Sequence, residues 1–214
     1  MPLQNRVTPW GEIIKTPARG TLFGNRGGCF HTVDQELLPL KRWVGRRWIA
    51  CLLEFKGRRR KLTQPNRYTE LFFLDEATAL AAGHRPCAQC RWGDYNRFID
   101  AWLAGNAVLR IERARCTDAI DAVLHRERVT PRREKVTYLA RLGDLPDGVF
   151  VTFDGAAGAW TPRDGRLHRW TSAGYAESRP AAAVHEVRVL TPRSIVNAIA
   201  AGYVPMTHPT LANA

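Results

Sequence analysis

Cys87 and Cys90 are the residues whose type and spacing point most directly to chemistry. They stand in Gly83-His84-Arg85-Pro86-Cys87-Ala88-Gln89-Cys90. Cys-x-x-Cys lets two sulfurs reach one tetrahedral ion from a single tight turn, and zinc is the usual occupant. A redox dithiol is the competing chemistry, since this spacing also lowers a thiol pKa, but the surrounding pattern is not thioredoxin-like. A closed zinc site needs two more ligands. Cys29 and His31 lie in a glycine-rich loop able to swing toward the pair, and Cys51 is a further thiol. The expected ligand set is Cys87, Cys90, Cys29 and His31. Such a site is structural, because four protein ligands leave no open position for water.

The elements around the pair follow from pattern. Glu70-Leu71-Phe72-Phe73-Leu74 reads as a buried strand. Residues 75–82 follow helix grammar, with acids in the first turn, alanines inside and Gly83 as the stop. Pro86 stiffens the turn before the first thiol. Residues 46–55 read as another buried strand. Cys51 alternates there with Ile49, Leu53 and Phe55, which makes it a packed core thiol. Lys56-Gly57 turns the chain into Arg58-Arg59-Arg60-Lys61, the return arm of a hairpin. Four consecutive cations point to both faces of a strand, so this hairpin is expected at a sheet edge. Helices are expected over 95–103 and 118–128, with Thr117 or Asp118 as cap of the second. His125 is read as a surface or capping histidine. Residues 126–135 carry five cations against two acids and read as a mobile basic loop or helix end.

From about residue 147 the grammar becomes β: a run at 148–153, turns at Asp154-Gly155 and Asp164-Gly165, strands near Trp160 and at 167–170, and one more at 187–190. Thr191-Pro192 starts a last helix ending at Gly202. Leu80-Ala81-Ala82-Gly83-His84-Arg85-Pro86 and Ile199-Ala200-Ala201-Gly202-Tyr203-Val204-Pro205 echo each other. That echo is either a duplicated unit or a common helix stop.

The 214 residues carry 32 Lys plus Arg against 20 Asp plus Glu, a net +12. Such a surface attracts polyanions, nucleic acid above all, DNA more than RNA. Arg46, Arg47, Arg58, Arg59, Arg60, Lys61 and Arg67 are the candidate phosphate contacts. Trp43, Trp48 and Tyr68 lie close enough in sequence to stack on bases. The loop 19–31 holds four glycines and two arginines and would let backbone N–H groups approach a phosphate, although it matches no phosphate-loop pattern. Glu54, Glu70 and Asp75 are the acids that would serve a nuclease. No nucleophile elbow, zincin motif or paired-carboxylate motif occurs. Five cysteines, an odd count, and 45% hydrophobic residues fit a reducing cytoplasm without a disulfide framework. No run of about 18 apolar residues suggests a membrane span.

The run Phe72-Phe73-Leu74-Asp75-Glu76-Ala77, followed by Ala81-Ala82-Gly83-His84-Arg85-Pro86-Cys87-Ala88-Gln89-Cys90, resembles the Ada-type metal-binding domain. That is a small zinc module of methyl-phosphotriester repair. The resemblance covers about twenty residues. It implies a strand and helix leading to zinc ligands at Cys87 and Cys90. The family's second ligand pair precedes the strand, but residues 56–71 here hold no Cys or His. The remaining ligands therefore come from Cys51, Cys29 or His31. The methyl-accepting cysteine of that family has no match here, so the resemblance implies the fold more than the repair reaction.

The sequence therefore leads us to expect an α+β protein. Residues 1–105 would form an Ada-like metal-binding domain, 106–146 a helical connector, and 147–214 a β-rich part ending in a helix. The expected function is zinc-containing nucleic-acid binding, in DNA repair or processing. The alternatives are a metal-dependent nuclease and a non-enzymatic module for anions or proteins.

Overall fold

The computed structural model describes residues 1–57 and 62–212. The class is α+β. The first half supplies β1 (Gln4–Val7), β2 (Ile13–Lys15), β3 (Leu22–Asn25), β4 (Ile49–Leu52), β5 (Leu71–Phe73), α1 (Glu76–Ala81), β6 (Arg85–Pro86) and α2 (Trp92–Gly105). The second supplies α3 (Cys116–Arg128), β7 (Tyr138–Arg141), β8 (Val151–Phe153), β9 (Ala156–Arg163), β10 (Arg166–Thr171), β11 (Gly174–Pro180), β12 (Glu186–Val189) and α4 (Arg193–Ala200). Among the described residues no helix is long and apolar enough to cross a membrane.

Two six-stranded sheets result, ordered β2-β1-β5-β3-β4-β6 and β11-β10-β9-β8-β12-β7. The second is the meander expected from its turns. Asp164 and Gly165 both have positive φ, 50° and 75°, the pair that a two-residue hairpin needs. Its fifth and sixth strands in order, β12 and β7, pair antiparallel from Val189↔Tyr138 to Glu186↔Arg141. Strand β7 thus belongs to the second sheet although it precedes residue 147. A shared core reinforces this: Leu80, Phe98, Trp102, Ile120 and Leu124 of the helices pack with Val151, Trp160, Val189 and Ile195.

The expected edge hairpin is corrected in one respect. β4 is interior, flanked by β3 (antiparallel) and the short β6 (parallel). Its strand is also shorter than the run 46–55; Trp48, just before it, is buried, and its carbonyl accepts from Arg85 N at 3.1 Å. Residues 58–61 lie outside the described residues.

Helix α1 is short and wholly buried, and is held by side chains of the C-terminal part. Asp75 caps it, accepting from Thr78 N at 2.8 Å. The second Asp75 oxygen accepts from Tyr175 Oη at 2.8 Å and His208 N at 2.9 Å. Glu76 accepts from Tyr203 Oη at 2.6 Å and Met206 N at 2.9 Å, and pairs with buried Arg91 at 2.8 Å. Every oxygen of these buried acids is therefore satisfied, as burial demands. Helix α3 begins two residues before the expected start and has no side-chain cap, so neither Thr117 nor Asp118 caps it. Thr117 instead bonds the Tyr95 hydroxyl at 2.5 Å.

Candidate metal centre

The site is built by backbone register. Parallel pairing of β4 with β6 sets Ile49 against Arg85 and Ala50 against Pro86. The ladder continues one step further, since Cys87 N donates to Ala50 O at 2.9 Å. That step carries Cys87 alongside Cys51. The chain then turns, with Arg91 N donating to Cys87 O at 3.0 Å, and α2 starts at Trp92. The turn returns Cys90 to the same place. The sulfurs of Cys51, Cys87 and Cys90 all lie within 4.8 Å of one another, the one such metal-capable group among the described residues.

The surroundings favour thiolate. Gln89 N donates to Cys87 Sγ at 3.4 Å. The Cys87 thiol is pulled well below its ordinary value, first by hydrogen bonds from the Cys51 and Cys90 thiols and then by backbone N–H groups of Cys90 and Gln89. Cys51 is driven in the opposite direction, because it donates to the other two sulfurs and is buried. Cys90 is raised, with the Cys87 thiolate as a cause, against lowering bonds from Cys51 and the Leu52 backbone. These opposed shifts make Cys87 the sulfur most disposed to carry negative charge. Three thiolates at this separation repel and need a cation. The pair also sits at the N-terminal end of the 14-residue α2, where the helix dipole favours negative charge. Phe23, Ile49, Tyr68 and Phe72 pack around the sulfurs. Cys51 and Cys87 are buried, while Cys90 is half-buried and marks the open side.

Three sulfurs with this spacing fit zinc. Zinc–sulfur bonds of about 2.3 Å in a tetrahedron set sulfurs roughly 3.8 Å apart, inside the observed limit. The third sulfur of the group is that of Cys51, read from the sequence as a core thiol. It does occupy an apolar shell, and it is a ligand candidate as well.

Cys29 and His31 do not reach this group. His31 is buried, with Nδ1 2.8 Å from Thr69 Oγ1 and Nε2 3.3 Å from the Gln64 carbonyl oxygen. Phe30 N donates to the same Thr69 hydroxyl at 2.9 Å. The loop is thus pinned by Thr69, and both imidazole nitrogens are engaged there. Cys29 Sγ contacts only His31, at 3.6 Å from its carbonyl oxygen and 3.8 Å from Nδ1.

No family model, curated protein or solved structure matches this chain.

The candidate phosphate contacts have diverse fates. Arg46 and Arg67 are exposed. Arg47 pairs with Asp118 at 3.0 Å and approaches Asp121 at 4.0 Å. Arg46, Arg47 and Tyr68 line one shallow groove, which those two acids share. Arg58, Arg59, Arg60 and Lys61 lie outside the described residues. Trp48 is buried and lies against Arg26 and Arg128, so it does not present a face to a base. His125 is half-buried, with Nδ1 3.0 Å from Arg128 Nη2. The acids considered for a nuclease do not converge: Glu54 is exposed, Glu70 accepts from Thr63 N at 2.9 Å, and Asp75 caps α1.

Sequence reasoning missed a second charged constellation, formed by Arg26, His84, Arg128 and Lys135 around Trp48. These residues come from separate segments, and no local spacing announces them. The one available signal was Arg26 inside the glycine-rich loop, where the side chain and not the backbone proves to be the feature of interest.

Proposed function

We propose that Cys51, Cys87 and Cys90 hold one zinc ion, and that this is a zinc-stabilised protein that binds nucleic acid through its basic surface. The observation carrying the metal is the meeting of three sulfurs from two chain segments within 4.8 Å, with backbone N–H groups directed at one of them. The Ada-like run ending in Cys87 and Cys90 supports the same ion.

The nucleic-acid reading is supported by the net +12 charge and by exposed Arg46 and Arg67, which form no ion pair among the described residues. Contacts of this kind address phosphates without reading sequence, so affinity would fall steeply with salt.

Metal analysis of protein purified without added zinc is expected to give about one zinc per chain. Cobalt substitution is expected to give the intense absorption of thiolate ligation. Binding to single- and double-stranded oligonucleotides is expected at low salt and lost as salt rises. Absence of zinc with all three thiols freely titratable overturns the metal centre. Absence of oligonucleotide binding at low salt overturns the partner.

A further inference from the structure

A cavity of about 450 Å³ lies against Trp48, lined by none of the three cysteines. Arg26, Arg128 and Lys135 form its inner wall, Arg42 and Arg133 stand in its lining, and Trp10 and Trp43 add apolar surface. Arg26 is 2% exposed and Arg128 1%. Burying even one cation costs several kcal/mol unless an opposite charge compensates. Here none does. Among the described residues, no carboxylate lies within ion-pair distance of any of these five cations, whereas the neighbouring Asp121 is committed to Arg85 at 2.7 Å. Glu12 and Glu134 also line the cavity, but both are exposed.

The cations do have hydrogen-bond partners, and all of these are neutral. Arg26 Nη2 donates to Gly11 O at 2.8 Å and its Nε to His84 Nε2 at 3.3 Å. Arg128 donates to Gly83 O at 2.7 Å and Arg46 O at 2.6 Å. Lys135 Nζ donates to Ala81 O at 2.5 Å. The guanidinium carbons of Arg26 and Arg128 lie 4.0 and 3.8 Å from the Trp48 ring. Carbonyls and a π face orient cations but leave their charge in place. The end of α1, which supplies the Ala81 and Gly83 carbonyls, offers about half a negative charge at most. Among the described residues, Arg128 Nε is buried with no hydrogen-bond partner. The groups feel one another: Arg128 and Lys135 are both pushed down toward neutrality, by burial first and then by the neighbouring cations.

We propose that this cavity binds the phosphate of an organic phosphate monoester between Arg26, Arg128 and Lys135. A dianion supplies the missing counter-charge, and planar guanidinium groups match phosphate oxygens in pairs. Trp10 and Trp43 cover the organic part, and the volume lies in the range of small-molecule sites. Arg42 and Arg133 raise the local potential for an anion. The site is independent of the zinc ion and of general nucleic-acid binding. Its phosphate can belong to a free nucleotide or to the phosphorylated end of a strand.

The test is calorimetric titration of the full-length protein in phosphate-free buffer at low salt. The probes are inorganic phosphate, a nucleoside 5′-monophosphate, and a short oligonucleotide with a 5′-phosphate beside its 5′-hydroxyl twin. Saturable binding of one phosphate-bearing probe per chain is expected. Lys135→Met and, separately, Arg42→Met should each weaken it at least about tenfold, the equivalent of roughly 1.4 kcal/mol. Unchanged near-ultraviolet circular dichroism would show that both variants remain folded. Preference for the mononucleotide supports a free ligand, and preference for the phosphorylated strand over its twin supports a strand end. Equal binding of the twins, with no binding of phosphate or mononucleotide, overturns the site and leaves the nucleic-acid reading standing. Full affinity in both folded variants also overturns it.

Discussion

Cys87 is tied to Ala50 by a backbone hydrogen bond of 2.9 Å, the last rung of the parallel pair β4–β6. That rung places Cys87 beside Cys51, the next residue of β4. A metal joining them would therefore lock a register that the short β6, of two residues, holds only weakly by itself. Loss of any one thiol should release the ion and loosen that edge. Cys51→Ser, Cys87→Ser and Cys90→Ser are each expected to lower zinc from about one per chain to nearly none, and to reduce the melting temperature by roughly 10 °C, as a loss of a few kcal/mol would in a chain of this size. Cys29→Ser should retain the full zinc content. Metal analysis and calorimetry on the four variants decide between Cys51 and Cys29 as ligand.

Arg85, in the strand just before the thiols, is fixed by a second device. Its guanidinium makes two bonds to Asp121 of α3, Nε–Oδ1 at 2.8 Å and Nη2–Oδ2 at 2.7 Å, with both side chains under 5% exposed. Removing one partner strands the other charge in the interior. Asp121→Ala is expected to cost about 3–5 kcal/mol in chemical denaturation. The double replacement Arg85→Met, Asp121→Leu should cost clearly less than Asp121→Ala alone, because no charge is left behind. A larger loss for the double variant would contradict this.

Lys135 gives a pH dependence with a definite sign. Burial, followed by Arg26 and Arg128, pushes its ammonium down to about 7, from an ordinary value of 10.5. Between these values the unfolded chain binds a proton that the folded chain has released. Stability contributed through Lys135 therefore rises with pH from about 7 to about 10.5 and is flat on either side. Arg26 and Arg128 are pushed down to about 9 and about 8, by burial first and then by neighbouring cations, so they add a slope of the same sign and do not reverse it. Urea denaturation in phosphate-free buffer at several pH values should show this rise in the parent and a shallower one in Lys135→Met. Identical slopes would show that Lys135 titrates normally in the folded protein.

What could be read from the sequence was what is local. The helix around Ala77–Ala81, its Gly83 stop and the thiol pair are set by neighbours within a few residues, and all three stand where the pattern put them. The C-terminal meander was legible for the same reason, through period-two strands and positive-φ turns. Cys51 was legible as a buried strand residue. Its approach to Cys87 was not, because it depends on the pairing of β4 with a two-residue strand 35 residues later in the chain. Cys29 and His31 looked available because the loop is rich in glycine, but Thr69 holds that loop through both Phe30 and His31. The cationic cavity is the extreme case: its three inner cations lie after β3, at the end of α3 and just before β7, and only the tertiary fold brings them onto Trp48.

The echo between the two helix ends can be given physical content. After α1, Gly83 N donates to Leu80 O at 2.8 Å and His84 N to Ala79 O at 2.9 Å. After α4, Gly202 N donates to Ile199 O at 3.0 Å and Tyr203 N to Ala198 O at 3.1 Å. Both are the same left-handed helix stop, with glycine φ at 84° and 102°. A side chain at either position costs about 1–2 kcal/mol in backbone strain. The surroundings differ. A Cβ on Gly83 would stand 2.6 Å from Cδ and 2.7 Å from Cβ of buried Arg128, whereas a Cβ on Gly202 would meet nothing within 4 Å. Arg128 cannot retreat without leaving Gly83 O and Trp48. Gly83→Ala should therefore destabilise the protein by clearly more than Gly202→Ala, and it alone should weaken phosphate binding at the cavity. Denaturation curves of the two variants, with and without phosphate, measure both effects; equal losses with unchanged phosphate affinity would mean that Arg128 is free to move.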